Sequence, residues 1–102
     1  MYYLILGHDG PTGLALRKAN RPKHMDYVRK LQAEGRLLTA GPRPLIDAGL
    51  EAGMAAGFFG SLVIAEFANL AAAREWAAND PYSRSGVFDR VEVFPYVPVL
   101  PE

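Results

Sequence analysis

The segment from Gly60 to Phe67 reads as a strand that is apolar on both faces, with Leu62 and Ile64 pointing one way and Val63, Ala65 and Phe67 the other. Tyr2 to Leu6 behaves likewise. An open antiparallel sheet normally keeps one wet face, so strands of this kind need cover on both sides. Helices packed on one face would leave the second face apolar, which predicts a partner sheet, most simply in a symmetric homodimer, with higher assembly left open. At 102 residues, half of them hydrophobic, the chain is long enough for one self-supporting domain over 1–102.

The remaining elements follow from punctuation and periodicity. Tyr2 to Leu6 is the first strand, ended by the turn cluster Gly7-His8-Asp9-Gly10-Pro11. Leu14 to Ala19 can begin a helix, Pro22 starts or kinks it, and Met25, Val28 and Leu31 form an apolar stripe that Gly35 stops. Arg36 to Ala40 is a second strand closed by Gly41-Pro42, and Arg43 to Phe59 lacks steady periodicity and reads as a long loop. After the third strand, Asn69 caps an Ala-rich helix from Leu70 to Ala78, which packs Leu70, Ala73, Trp76 and Ala77 on one side. Asp80-Pro81 ends that helix, Val87 to Phe94 is the last strand, and a proline-rich tail follows. The order β-α-β-β-α-β points to an α+β ferredoxin-like sandwich, with two helices on one face of a four-stranded antiparallel sheet.

Charge and composition exclude several partners. Eleven basic and eleven acidic side chains cancel, and the densest basic stretch, Arg17 to Lys30, is interrupted by Asp26 and apolar residues, so no nucleic-acid stripe is expected. No membrane association is expected either, because the uncharged stretch from Ala52 to Ala65 is short and carries Gly53, Gly57 and Gly60. The start MYYLILGHDG lacks the basic region of a signal peptide, and there is no cysteine; both fit a cytoplasmic protein.

Reactive groups are few. His24 falls one helical turn before Val28, on the inward stripe of the first helix, where a histidine by itself is most often a hydrogen-bonded core residue. The sandwich topology gathers His24, Gly41-Pro42, Gly60-Ser61 and Asp80-Pro81-Tyr82 at one end of the sheet. A carboxylate beside a half-buried imidazole would fix its tautomer and leave the other ring nitrogen facing a cleft, as a general base near neutral pH requires. Taken alone, Asp80 before a proline is more often a plain helix terminator, and Gly41, Pro42 and Ser61 can be plain turn and strand residues. Tyr82 could line the cleft or cap the core, and Arg21 could bind an anionic group or stay solvated. His8 sits on a turn at the same edge, but no acidic or histidine partner stands at metal-binding spacing, so no metal site is assigned.

At these residues the chain resembles the YciI-like family, small α+β proteins with a YCII-related domain, allied to the dimeric α/β-barrel superfamily. The resemblance runs from Tyr2 to Phe94 and rests on Arg21-Pro22-Lys23-His24, Gly35 to Pro42, Gly60 to Phe67, and Asp80-Pro81-Tyr82 with Gly86-Val87-Phe88. It implies a ferredoxin-like protomer, dimerisation through the sheets, and an active site built on a histidine–aspartate pair that maps onto His24 and Asp80. The family includes a dehydrochlorinase acting on a chlorinated hydroxyquinol, which implies proton-abstraction or lyase chemistry as a class.

The expected function is a cofactor-independent enzyme of lyase or isomerase type, acting on a small phenolic or cyclic compound. In it Asp80 orients His24 as general acid/base, and Arg21, Gly41, Pro42, Ser61 and Tyr82 bind the substrate. Its rivals are a non-enzymatic ligand-binding or accessory module using the same cleft, and a small-molecule oxygenase, which would bind haem or consume oxygen.

Overall fold

The structure is a computed structural model that describes all 102 residues. Strand β1 spans Tyr2–Asp9, helix α1 Gly13–Ala33, β2 Leu37–Pro44, α2 Leu50–Ala56, β3 Phe58–Glu66, α3 Leu70–Asn79, α4 Pro81–Arg84 and β4 Phe88–Tyr96. The strands form one antiparallel sheet in the order β2-β3-β1-β4, the ferredoxin-like arrangement expected from the element order. No helix is long and apolar enough to cross a membrane.

Alternation sets the inner layer. Tyr3 and Ile5 of β1 stand opposite Ala65 and Val63 of β3, and all four are buried with Leu31, Phe67, Ala73 and Ala77 in one apolar cluster. Leu70 and Trp76 of α3 pack against that cluster from its edge. On the other face Leu4 pairs with Ile64 and Phe94, and Leu6 with Leu62, so its centre is apolar too. Gly60 is dictated by packing, since a Cβ there would overlap the backbone carbonyl of Gly7 on the neighbouring strand.

Several element boundaries differ from the sequence reading. Helix α1 runs unbroken through Pro22. The carbonyl that proline leaves without a donor belongs to Lys18, and Lys18 and Pro22 are both exposed, so the lost bond falls on the solvent side of the helix. Its C-terminus closes as anticipated at Gly35, whose φ of 71° lets Arg36 N–H reach the Leu31 carbonyl and Gly35 N–H the Gln32 carbonyl. Strand β2 does not stop at Gly41-Pro42 but continues to Pro44, because an edge strand needs ladder bonds on one side only and tolerates proline.

The segment read as a long loop between Arg43 and Phe59 contains the short helix α2. Strand β1 extends to Asp9, so His8 lies within the strand, paired with Gly60 and Arg90, rather than on a turn. After α3, capped by Asn69 accepting from Ala72 N–H at 2.8 Å, Asp80 both ends that helix and caps α4. Asp80 accepts from the Tyr82 N–H at 2.8 Å, and Pro81 takes the first helical position.

Candidate active site

One stripe of α1 faces inward and carries Arg17, Arg21, His24, Val28 and Leu31, spaced by alternating fours and threes. Val28 and Leu31 are buried apolar residues, Leu31 within the apolar cluster, but Arg17 and His24 are buried as well, at 6% and 9% exposure. Buried charge-bearing groups require partners, and each of these has one.

His24 Nδ1 lies 2.7 Å from Asp80 Oδ1. A carboxylate only accepts hydrogen bonds, so Nδ1 carries the hydrogen and the neutral ring keeps its lone pair on Nε2. The cap geometry holds Asp80 still, because the oxygen that meets His24 also takes the Tyr82 N–H. Tyr82 stacks flat on the imidazole, ring centres 3.8 Å apart and planes within 3°, which fixes the ring's tilt. Burial pushes the Tyr82 phenol up, against the opposing pull of Arg17 and Arg21, so this ring is a neutral wall rather than a proton carrier near neutrality.

The second network escaped the sequence reading. Arg17 donates from Nε and one terminal nitrogen to the two carboxylate oxygens of Asp9, at 2.7 and 2.8 Å, and the same terminal nitrogen donates to Ser61 Oγ at 2.8 Å. The guanidinium lies over the rings of Phe58, Tyr82 and Phe88 at 4.7, 5.0 and 5.8 Å, so it is held on its faces as well as its edges. Following the helical stripe backwards through Pro22 would have exposed this arginine as a buried cation in search of a carboxylate.

A cavity of about 430 Å³ opens between α1 and the strands β2 and β3. Strand β2 is the edge strand that the main helices leave least covered, and Leu37, Ala40, Gly41 and Pro42 form one wall. Ser61 of β3, paired with Pro42, adds to that wall, and Arg17, Arg21 and His24 of α1 with Tyr82 form much of the other. The sequence-predicted residues Arg21, His24, Gly41, Pro42, Ser61 and Tyr82 are thus all on its lining, with Asp80 behind His24. Their meeting place is beside the middle of α1, not at the helix start that a break at Pro22 implied. Nothing lies within 4 Å of where a Gly41 Cβ would be, so this glycine leaves open space. A side cavity of about 160 Å³ shares Arg17, Arg21, Pro42 and Tyr82 with the first, and Leu14, Met54 and Phe58 make it more apolar.

His8 does not join this site. It sits on β1, its Nε2 is 2.8 Å from Glu92 Oε1, and its Nδ1 is 3.5 Å from the Arg43 guanidinium. No three His, Cys, Asp or Glu side chains come together in metal-binding geometry.

The comparisons with known proteins agree with this architecture. The YCII-related domain model matches residues 1–97. An uncharacterized protein of Haemophilus influenzae is 52% identical over 100 residues, covering 98% of this chain and 100% of its own length. Protein YciI of Escherichia coli O6:H1 is 48% identical with the same coverage. Among solved structures, the chain is similar to 5-chloro-2-hydroxyhydroquinone dehydrochlorinase (TftG) from Burkholderia phenoliruptrix AC1100, in complex with 2,5-dihydroxybenzoquinone. That likeness has a TM-score of 0.82 at 26% identity and covers 95% of this chain and 94% of the other.

Proposed function

The chain belongs to the YCII-related domain family, and from that premise we propose that it is a small-molecule enzyme in which His24 moves a proton during elimination or isomerisation of a single-ring, phenolic or cyclic compound. The observation that carries this reading is His24 itself: Nδ1 is tied to Asp80, and the residue lines an open cavity of about 430 Å³. The buried side-chain atoms left without partners are Arg43 Nε and Ser85 Oγ, so His24 Nε2 is not sealed off. Asp80 fixes the tautomer and stabilises the imidazolium that forms when Nε2 takes a proton. Arg21, Gly41, Pro42, Ser61 and Tyr82 surround the substrate. The likeness to a dehydrochlorinase supports the reaction class. A sealed pair with no adjoining pocket would favour a non-enzymatic module; the open cavity beside His24 favours the enzyme.

The test is a panel of halogenated and hydroxylated single-ring compounds, with 5-chloro-2-hydroxyhydroquinone among them. Wild-type protein should turn over at least one, and His24→Ala should lower that rate by roughly 10² to 10⁴ with an unchanged circular dichroism spectrum. Equal rates would remove His24 from the mechanism, and an inert wild type would favour the binding module.

The same reading places the protein in the cytoplasm, in keeping with its lack of cysteine, and gives it a small molecule rather than nucleic acid as ligand, in keeping with balanced charge. A second copy covers the outer sheet face, where Leu4, Leu6, Leu62, Ile64 and Phe94 make an apolar centre and His8, Arg90 and Glu92 supply both signs of charge beside it. Sedimentation at micromolar concentration should give a dimer, and a monomer would contradict it.

A further inference from the structure

We propose that Ser61 and Arg21 form an oxyanion-binding pole beside His24 in the same cavity, with Arg17 as the positioning residue that turns the Ser61 hydroxyl toward the ligand. The compound bound is then one that carries, or develops, a negative oxygen within one ring's reach of the proton His24 removes. This rests on the proposed function and names the chemistry its substrate must have.

Arg17 looks at first like the anion binder, but its charge is already matched, because its Nε and one terminal nitrogen face the Asp9 carboxylate. Asp9 takes it in a bidentate pair, and the side chains of the two are 8% and 5% exposed. The same terminal nitrogen also meets Ser61, and the direction of that contact is fixed by chemistry. Arginine has no acceptor, so the Ser61 oxygen accepts at 2.8 Å and its own hydrogen is left over. No protein acceptor takes that hydrogen, and Ser61 lines the cavity, so the O–H is available to a ligand there. Accepting from a cation also polarises the hydroxyl and strengthens it as a donor. Ser61 is therefore a poor nucleophile, having no hydrogen-bonded base, and a good donor.

Arg21 supplies the charge. It lies one turn beyond Arg17 on the stripe, is half-buried, lines both cavities, and has no carboxylate within ion-pair distance. The main cavity is lined by Arg17, Arg21 and Arg29 and by no Asp or Glu. A cavity with one uncompensated guanidinium, a polarised hydroxyl and no acid favours an anionic oxygen. In an enolisable ring, His24 Nε2 takes the proton and the C–H electron pair becomes the new C=C bond. The carbonyl π pair settles on oxygen, where Ser61 and Arg21 hold it, and later collapse of that charge can return the proton or expel a leaving group.

The probe is 2,5-dihydroxybenzoquinone, a coloured anion at neutral pH, titrated by absorbance beside neutral hydroquinone. Ser61→Ala and Arg21→Gln should each weaken probe binding by at least about tenfold while shifting hydroquinone by less than about twofold. His24→Ala should still bind the probe, which separates failure of the pole from failure of the proton-transfer reading. For Arg17, whose loss alone can unfold the protein, the paired change Arg17→Met with Asp9→Leu should also weaken the probe several-fold and spare hydroquinone, a split that simple loosening of the fold would not produce. Wild-type affinity for the probe in Ser61→Ala and Arg21→Gln, equal losses for both compounds, or no binding by wild type at concentrations on the order of millimolar would each overturn the proposal.

Discussion

The inner stripe of α1 has two halves with the same spacing and nearly the same burial but opposite chemistry. Val28 and Leu31, 6% and 1% exposed, belong to the apolar half, with Leu31 set among Tyr3, Phe67, Ala73 and Ala77. Arg17 and His24, 6% and 9% exposed, meet Asp9, Ser61 and Asp80 instead. Burial alone therefore does not mark the site; the polarity of what is buried does. Apolar side chains of similar volume would serve stability at least as well as a buried ion pair, so the polar half is better explained by what it presents to the cavity.

The contrast can be broken from either side. Removing one partner of the polar half should have the larger effect on stability: Arg17→Met leaves the Asp9 carboxylate buried and uncompensated, which costs about 3–5 kcal/mol. Adding Asp9→Leu should recover most of that loss in urea denaturation, because no charge is then stranded. On the apolar side, Leu31→Ala should cost about 2–5 kcal/mol through the cavity it opens, while the folded fraction binds probe like wild type. If Arg17→Met were neutral, the Asp9 pair would not be the buried unit described above. If Leu31→Ala altered ligand affinity directly, the two halves would not be separable.

How much of this was legible follows the same division. The strands and both main helices came from periodicity, because apolar alternation in Tyr3, Ile5, Val63 and Ala65 and the Asn69 and Gly35 boundaries are local signals, and the order of these elements pointed to the sandwich. His24 and Asp80 could be singled out because histidines are few and topology brings distant segments together. Asp9 and Arg17 could not, since treating Pro22 as a break cut the stripe inside its polar half and left Arg17 and Arg21 on the far side of the cut. The proline rule is about the average helix; here the lost bond falls on the exposed side at Lys18 and Pro22, and the helix continues. Helix α2 was missed because seven residues containing Gly53 carry too little pattern to register. His8 was misplaced because the turn-forming Gly7, His8 and Asp9 are held in the sheet by β3 and β4, a tertiary effect that local propensity does not contain.

Tyr27 sits at the border of the two halves and gives the smallest test. Its hydroxyl donates to the Trp76 carbonyl at 2.7 Å and its ring stacks on that indole, 4.8 Å between centres, which ties it to the core. Its phenol is pushed up to about 12, first by burial and then by the nearby charge of Asp80, with Glu75 adding to the rise and Arg84 opposing it. In the unfolded chain the same group titrates at its ordinary value of 10.0. Above that pH the unfolded state releases a proton that the folded state keeps, so the contribution is full below pH 10 and is lost as pH climbs toward about 12. The urea midpoint should therefore fall across that interval, and Tyr27→Phe should make the fall shallower without abolishing it, since Tyr82 is raised as well. At neutral pH the same variant should lose about 0.5–1.5 kcal/mol with its hydrogen bond. Asp80→Asn should flatten the alkaline limb only slightly, because burial rather than the carboxylate is the larger cause. A strong flattening would mean that the charge of the polar half reaches further into the core than the packing suggests.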